Sequence, residues 1–278
     1  MILHLTDPHF GAERPPVADA LIELARARRP ELIVLSGDIT QRARPAQFGA
    51  ARAFMDALCA ACGLDPARDV LVIPGNHDIP LFHLPLRLFD PYGRYAQAFR
   101  GPLDPLIRRQ AVWLIGVNTT RPWRHKHGEV SRAQIERVAA RLHAAPNGAL
   151  RVVVTHQPVF VVEADDRKDL LRGHRAAARA WAAAGADLLL SGHIHQSFVA
   201  PLPYPLGDTW TVQTGTAVSD RIRERVPNSV HVIGLGNAEA GVRAVVERWD
   251  WDGQAFAHIG STDIPRRTPA PPPVLGAI

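Results

Sequence analysis

Five short polar clusters along the chain contain the residue types that bind metal ions and transfer protons. In chain order they are Asp7-Pro8-His9, Gly37-Asp38, Gly75-Asn76-His77-Asp78, His156 and Gly192-His193-Ile194-His195. Imidazoles and carboxylates without a thiolate favour manganese, iron and zinc over calcium, which prefers sites built from oxygen alone. A purely structural interpretation exists for each residue, such as a helix N-cap or a turn, but it would have to hold for all five clusters at once. The clusters therefore predict a site for divalent metal ions.

Two of the clusters place ligand types one residue apart, Asp7 with His9 and His193 with His195. Side chains at i and i+2 of an extended segment point the same way, so each pair can hold a common centre. We expect the glycines at positions 37, 75 and 192 to let the backbone turn sharply beneath the ions, because glycine adopts unusual backbone conformations without steric cost.

Each cluster follows a short apolar run that is typical of a buried strand. The runs are residues 1–5, 32–35, 70–73, 149–154 and 187–190. Amphipathic helical patterns over residues 17–29 and 45–61 separate the first three runs, which predicts a βαβαβ unit with parallel strands. Because the carboxyl ends of parallel strands share one crevice, we expect the clusters to converge there.

The rest of the chain predicts further strands and a helix. A strand over residues 110–117 precedes a basic loop from Arg121 to His127, and a helix starts after the N-cap Ser131 and runs to Ala144. Short strand-like runs between residues 197 and 259 predict antiparallel sheet. We interpret residues 1–264 as a single domain and residues 265–278 as a proline-rich C-terminal tail without a packing pattern.

The composition is that of an ordinary globular protein, with 278 residues, 46% hydrophobic and 21% charged. There is no apolar stretch of about 18 residues, so a membrane span is not expected, and a cytoplasmic location is the default prediction. The net charge of +5 indicates at most a weak attraction to phosphate-bearing molecules, since the arginines are scattered. Cys59 and Cys62 lie in an alanine-rich helical pattern without a second pair, which favours a structural role.

The ordered set D-x-H, G-D, G-N-H-D, H and G-H-x-H resembles the calcineurin-like metallophosphoesterase superfamily, from Asp7 to His195. This resemblance implies an α/β fold in which two mixed β-sheets pack face to face between layers of helices. It also implies a site with two divalent ions, whether manganese, iron or zinc. The implied ligands are Asp7, His9 and His195 for one ion, Asn76, His156 and His193 for the other, and Asp38 as a bridge. The implied catalytic residues are His77, which reaches the substrate phosphate, and Asp78, which orients the ring of His77.

The resemblance further implies a phosphoric ester hydrolase in which a hydroxide that bridges the two metals attacks phosphorus. The chain is most similar to the compact bacterial phosphodiesterases that act on cyclic nucleotides and glycerophosphodiesters, on the basis of Gly128-Glu129-Val130-Ser131 with Gln134 and of the short chain. We therefore expect a small phosphodiester as the substrate. A nuclease and a nucleotide-lipid pyrophosphatase are the alternatives within the superfamily. Nucleic acid is not the favoured partner, and homo-oligomerisation stays open.

A non-catalytic protein-binding scaffold is the alternative of another class. Scaffold relatives lose ligands or the catalytic histidine, whereas this chain keeps His77 and all seven implied ligands. Two further groups are weaker candidates. Those for the substrate entrance are His83, His125 and His127. Those for a second phosphate or ribose contact, with a solvated loop as the alternative, are Arg121, Arg124, Lys126, Arg167 and Lys168.

Overall fold

The structure, a computed structural model, describes residues 1–203, 205–224 and 226–267. Within them lie the strands β1 (Ile2–Leu5), β2 (Leu32–Leu35), β3 (Val70–Val72), β4 (Leu106–Arg108), β5 (Val112–Gly116), β6 (Leu150–Val154), β7 (Leu188–Ser191), β8 (Phe198–Pro201), β9 (Trp210–Gln213), β10 (Ser229–Leu235), β11 (Val242–Trp251) and β12 (Phe256–Pro265). The α-helices are α1 (Pro15–Arg28), α2 (Pro45–Cys62), α3 (Leu84–Phe89), α4 (Gly93–Phe99), α5 (Arg132–Ala144) and α6 (His174–Ala183), and 3₁₀ turns cover Asn76–Asp78 and Ala164–Asp169.

The strands form two mixed six-stranded sheets, as predicted. The first has the order β12-β11-β10-β1-β2-β3 and the second the order β4-β5-β6-β7-β9-β8. The predicted βαβαβ unit is present, because β1, β2 and β3 run parallel. The expectation of antiparallel sheet for the last third is right for β10 to β12 and for the pair β8 and β9, but β9 also pairs parallel with β7. Alternation of side chains defines the faces of a strand but not its neighbour, so the sequence pattern could not assign β9 to the second sheet.

The two sheets pack face to face and each carries helices on its outer side. Side chains of both sheets share the central apolar core, as Val34 and Val152 do. The outer face of the first sheet is covered by α1 and α2, with Leu21 and Leu58 in the same cluster as Leu5. A third cluster joins α5 and α6 to the outer face of the second sheet. The fold is therefore the predicted α/β/β/α sandwich, in which the continuous apolar runs supply residues alternately to the central and outer cores.

Local signals in the sequence account for several helix ends. The hydroxyl of Ser131 accepts a hydrogen bond from the backbone N of Gln134 at 3.2 Å, and Gln134 Oε1 accepts one from the backbone N of Ser131 at 3.1 Å. This capping box starts α5 where the sequence predicts it. Cys59 and Cys62 hold free thiols on α2, and burial raises the pKa of Cys59 to about 11, in line with a structural role.

The start of the predicted tail is attached to the second sheet. The guanidinium of Arg267 donates hydrogen bonds to the carbonyls of Ala182 and Ala186 and to the hydroxyl of Thr209. Residues 268–278 lie outside the described residues, so the division into a domain and a tail stays a prediction. No helix in the described part of the chain is both long and apolar enough to span a bilayer, and the cytoplasmic location also stays a prediction.

Candidate metal centre

The carboxyl ends of five parallel strands converge at one edge of the sandwich. Asp7, Asp38 and Asn76 follow β1, β2 and β3, while His156 and His193 follow β6 and β7. Two groups of three residues have ligand atoms that all lie within 4.8 Å of one another. The first cluster is Asp7, His9 and His195, and the second cluster is Asp38, His156 and His193. The convergence that the strand pattern predicts is therefore present in the structure.

The first cluster is nearly closed to solvent. The Nε2 atoms of His9 and His195 face each other at 3.1 Å, and His195 Nε2 lies 3.3 Å from Asp7 Oδ1. The other carboxylate oxygen of Asp7 accepts hydrogen bonds from Thr6 Oγ1 at 2.7 Å and from the backbone N of His193 at 2.9 Å. One oxygen of Asp7 thus holds the neighbouring loop, while the other faces the imidazole nitrogens.

The second cluster adjoins the first through Asp38. Its Oδ1 lies 3.2 Å from His156 Nε2, while its Oδ2 lies 3.8 Å from His9 Nε2 in the first cluster. The side-chain oxygen of Asn76 lies 3.2 Å from the same nitrogen of His156. The carboxylate of Asp38 therefore presents one oxygen to each cluster, which is the geometry that a bridging ligand needs.

Backbone carbonyls orient three of the imidazole rings. The Nδ1 atoms of His156, His195 and His77 lie 2.9, 2.6 and 2.9 Å from the carbonyl oxygens of Ser36, Arg221 and Gln41, respectively. A carbonyl can only accept, so Nδ1 carries the proton in each ring. In the neutral ring the lone pair is then on Nε2, the atom that faces the centre, which is the tautomer required of a metal ligand.

Several buried polar atoms at the centre lack a hydrogen-bond partner, among them Asp7 Oδ1 and both ring nitrogens of His193. A buried polar atom without a partner costs about 1–3 kcal/mol, and such atoms are rare in native proteins. Coordination to a divalent cation would satisfy a carboxylate oxygen and imidazole nitrogens together. The donor set and its unpaired atoms therefore fit a metal centre.

Electrostatics keep most of these groups in the form that binds metal. Burial lowers the pKa of His9 and that of His193 to about 3, so both rings are neutral. Burial acts to raise the pKa of Asp38, but the nearby His156 and His77 hold that pKa well below its usual range. Against the effect of burial, Asp38 and Asp7 raise the pKa of His156 to about 9. The carboxylates thus attract positive charge to the place where a cation would lie.

The backbone is strained at most of the implied ligands. Eight non-glycine residues in the described part of the chain have positive φ, and five of these are implied ligands. Their φ values are 51° at Asp7, 44° at His9, 47° at Asp38, 74° at His193 and 54° at His195. The left-handed conformation is unfavourable for residues with a Cβ, and such strain concentrates at functional sites.

Only one of the three glycines has the conformation that the sequence led us to expect. Gly37 has a φ of +102°, as a sharp turn requires, but Gly75 has an extended backbone with a φ of −99°. A Cβ at Gly75 would lie 2.0 Å from the backbone N of Asp38, and one at Gly192 would lie 2.0 Å from Thr6 Oγ1. Close approach of neighbouring strand ends, and not left-handed geometry, therefore requires glycine at positions 75 and 192.

The predicted contact between Asp78 and the ring of His77 is wrong. The buried carboxylate of Asp78 accepts hydrogen bonds from the backbone N of Gly75, Ile39 and Thr40 and from the Thr40 hydroxyl, at 2.8 to 3.0 Å. The ring of His77 is held by Gln41 instead. Successive side chains of the 3₁₀ turn point in different directions, so Asp78 points inward and joins the loops after β2 and β3.

A cleft of about 530 Å³ opens beside the two clusters and includes His77, whose side chain is 26% exposed. Of the weaker candidates, His125, Lys126 and Lys168 line this cleft. The others do not line it, namely His83, His127, Arg121, Arg124 and Arg167. Two lining arginines, Arg221 and Arg223, were missed by the sequence analysis, because they lie on a loop after β9 that carries no recognisable motif.

Arg221 connects the two sides of the cleft. Its carbonyl accepts from His195 Nδ1, and its guanidinium donates a hydrogen bond to Gln41 Oε1 at 2.9 Å. The backbone carbonyl of Gln41 in turn holds the ring of His77. The loop after β9 and the loop after β2 are thus joined behind the two histidines that they orient.

Comparison with known proteins places this arrangement in a family. The chain is 27% identical over 209 residues to a cAMP/cGMP dual specificity phosphodiesterase of Mycobacterium tuberculosis, an alignment that covers 71% of the chain and 62% of the relative. It is 26% identical over 225 residues to a glycerophosphodiester phosphodiesterase of Enterobacter lignolyticus, covering 73% and 76% of the two chains. A solved dimetal phosphatase of Danio rerio shares the fold, with a TM-score of 0.61, 14% identity and coverage of 96% and 98%. Since the family model described as calcineurin-like phosphoesterase matches residues 1–197, the chain belongs to that family.

Proposed function

We propose that the protein is a metal-dependent phosphodiesterase that hydrolyses a small, cyclic-nucleotide-like phosphodiester. One observation carries the proposal: Asp38 of the second cluster also faces His9 of the first cluster, and His77 stands beside Asp38 at the cleft. The names of the mycobacterial and Enterobacter relatives support the choice of a diester. The chain spans 62% of the length of the mycobacterial relative. The proposed activity therefore rests on the site residues of this chain as well as on the relatives' names.

The site residues fit two divalent ions, for which we propose manganese, iron or zinc. Asp7, His9 and His195 would hold one ion. Asn76, His156 and His193 would hold the other, and Asp38 would be a ligand of both. When bound, the ions would supply Lewis acidity, which lowers the pKa of water and neutralises charge on a phosphoryl group.

His77 is the proposed catalytic residue. Its Nδ1 proton is donated to the carbonyl of Gln41, so the ring cannot rotate freely and its Nε2 faces the site, 4.0 Å from Asp38 Oδ2. A protonated ring in this orientation can donate the Nε2 proton to a leaving-group oxygen on which negative charge develops. The backbone N of His77 also donates to Asp38 Oδ1 at 2.8 Å, which positions the bridging carboxylate.

Asp78 is proposed to act as a positioning residue through the backbone. It is almost fully buried, and its four hydrogen bonds hold the loops that carry Asp38 and His77 in one arrangement. Rigid support of this kind is what keeps reacting groups in productive geometry.

The cleft supports a small anionic substrate. Its volume of about 530 Å³ lies within the range of about 300–1,000 Å³ that is usual for small-molecule sites. Several of its lining side chains are cationic or imidazole groups. Two of the cations are paired with buried carboxylates, Lys126 with Asp169 and Arg223 with Asp166, both at 2.6 Å. Arg221 has no carboxylate partner among the described residues and remains available to an anion.

A turnover assay tests the metal requirement. Protein stripped of metal should not hydrolyse bis(p-nitrophenyl) phosphate, and added manganese should restore hydrolysis. Unchanged turnover after thorough chelation would contradict the two-metal proposal. If no diester, monoester or pyrophosphate is hydrolysed by the metal-loaded protein, the chain is a non-catalytic scaffold instead.

A panel of substrates tests the narrower proposal. The metal-loaded protein should cleave 3′,5′-cyclic AMP with a higher kcat/KM than 2′,3′-cyclic AMP, single-stranded DNA or UDP-linked lipid precursors. Preference for DNA would assign a nuclease, and preference for the lipid precursors would assign a pyrophosphatase of the same family.

A substitution tests the role of His77. His77→Ala should keep both metals and lose most of the turnover, because the ring is proposed to act on the substrate and not on the ions. Elemental analysis and kcat are measured together, with His143→Ala on the exposed side of α5 as the control. Loss of a metal ion from His77→Ala would make His77 a ligand.

A further inference from the structure

Five large apolar side chains are exposed together beside the cleft. They are Phe82, Leu84, Leu88, Phe89 and Trp123, with exposed fractions of 79%, 65%, 66%, 87% and 71%. We call this group the rim patch. Leu84 and Leu88 lie on one side of α3, since residues at i and i+4 of a helix share a face, and Phe89 is its exposed last residue. Arg87 is buried. Soluble monomers rarely expose so many large apolar side chains at one place unless the surface binds something.

The rim patch borders the mouth of the cleft. The guanidinium of Arg87 donates a hydrogen bond to the carbonyl of Arg124 at 2.9 Å, which ties α3 to the loop that carries Trp123. The same loop brings His125 and Lys126 to the cleft. On the other side, the guanidinium of Arg42 lies over the ring of Phe82, 5.8 Å from its centroid. Arg42 directly follows Gln41, whose carbonyl holds the ring of His77.

The surroundings of the rim patch are basic. The chain has no acidic residue from Ile79 to Phe89 or from Thr119 to Gly128. Arg42 at the patch has no carboxylate partner within the ranges that the structure describes, whereas Arg124 is paired with Glu129 at 2.7 Å and Arg87 is buried. A second copy of this chain would bring like charges together at the patch, which is unfavourable. An anionic partner with an apolar interior would satisfy both the charge and the exposed rings.

We propose that the rim patch docks the protein onto an anionic phospholipid surface, with the mouth of the cleft facing the headgroups. Short segments with phenylalanine, tryptophan and leucine beside basic residues insert their apolar side chains at the boundary between headgroups and acyl chains. Arginine near the surface adds attraction to anionic lipids, and the tryptophan ring is suited to the interface. Docking is a separate property from the proposed phosphodiesterase activity. Its test measures binding to lipid and not turnover.

Vesicle co-sedimentation tests the proposal. The protein should bind vesicles of phosphatidylcholine with phosphatidylglycerol, bind vesicles of phosphatidylcholine alone more weakly, and lose affinity for the anionic vesicles in high salt. The double variant Phe82→Ser with Phe89→Ser should bind the anionic vesicles at least about tenfold more weakly, because two rings no longer leave water. The matched control is Ile259→Ser with Leu235→Ser, which removes two exposed apolar side chains elsewhere and should bind as the unmodified protein does.

Arg42→Glu provides an independent variant that leaves the apolar residues in place. It should weaken binding to the anionic vesicles and leave binding to neutral vesicles unchanged. The proposal would be overturned if the protein did not bind anionic vesicles or bound both kinds of vesicle equally. It would also be overturned if the variant Phe82→Ser with Phe89→Ser bound anionic vesicles as well as the unmodified protein does. A dimer in sedimentation analysis that the serine substitutions abolish would assign the rim patch to a second copy and would also overturn it.

Discussion

Two buried histidines between the sheets should make stability depend on pH. His4 on β1 lies directly opposite His231 on β10, and Thr214 Oγ1 lies 2.9 Å from His4 Nδ1 and 2.8 Å from His231 Nδ1. Burial lowers the pKa of His4 to about 3, although Asp7 acts in the opposite direction. Burial also lowers the pKa of His231 well below its usual value. Both rings are therefore neutral in the folded protein.

The direction of the effect follows from proton linkage. As the pH falls below about 6.5, the unfolded chain binds a proton at each histidine that the folded chain does not bind, so stability is lost. For His4, whose folded pKa is about 3, the loss is complete only when the pH has fallen to that value. Between about pH 7.5 and about pH 5, the expected loss of unfolding free energy from His4 is about 2 kcal/mol.

Urea unfolding of metal-free protein measures this loss without a contribution from released metal. The free energies of unfolding of the unmodified protein and of His4→Gln are compared at the two pH values. The free energy of unfolding of the unmodified protein minus that of His4→Gln should fall by about 2 kcal/mol from the higher to the lower pH. The reason is that unfolding of the variant is not accompanied by proton uptake at position 4. His258→Gln, at an exposed position on β12, should show no such change. Parallel pH profiles for His4→Gln and the unmodified protein would refute the reasoning.

Three other substitutions test the packing around the site. Gly75→Ala should fold yet bind less metal by elemental analysis, because its Cβ would lie 2.0 Å from the backbone N of Asp38. The control Gly49→Ala, whose Cβ would have no atom within 4 Å, should bind metal as the unmodified protein does. Thr214→Val should lower the free energy of unfolding in urea by about 2–4 kcal/mol, since two buried ring nitrogens lose a partner; a loss below about 1 kcal/mol would contradict this. Arg221→Ala should lower kcat about fivefold at unchanged metal content, because the lost hydrogen bond to Gln41 is worth about 1 kcal/mol, and an unchanged kcat would exclude the connection.

Much of the fold and the site could be predicted because the signals are local. Each apolar run of the parallel strands ends in polar residues at a fixed place, and parallel strands present those ends to one edge. The order of Asp7, Asp38, Asn76, His156 and His193 along the chain thus implies their convergence. The cap at the start of α5 was predictable for the same reason, since it depends on neighbouring residues alone.

Contacts between distant segments required the tertiary structure. The direction of the Asp78 side chain depends on the 3₁₀ turn and on the amide groups of the loop after β2. Its position next to His77 in the sequence therefore did not reveal which groups it contacts. Gly75 is needed because Asp38 approaches it, a contact across 37 positions of sequence (75 minus 38). Arg221 reaches the cleft only because β9 pairs with β7.

Residue types, their order and the strand ends that carry them are written in the chain itself, and they sufficed to predict a site for divalent metal ions at one edge of an α/β sheet. The second ion and the two-sheet sandwich were implied by the family resemblance. Which loops approach one another, which buried atoms lack partners and which apolar side chains stay exposed are properties of the packed sheets. The physical reason is that strand periodicity depends on near neighbours, whereas burial and electrostatic environment depend on every segment that packs against a residue.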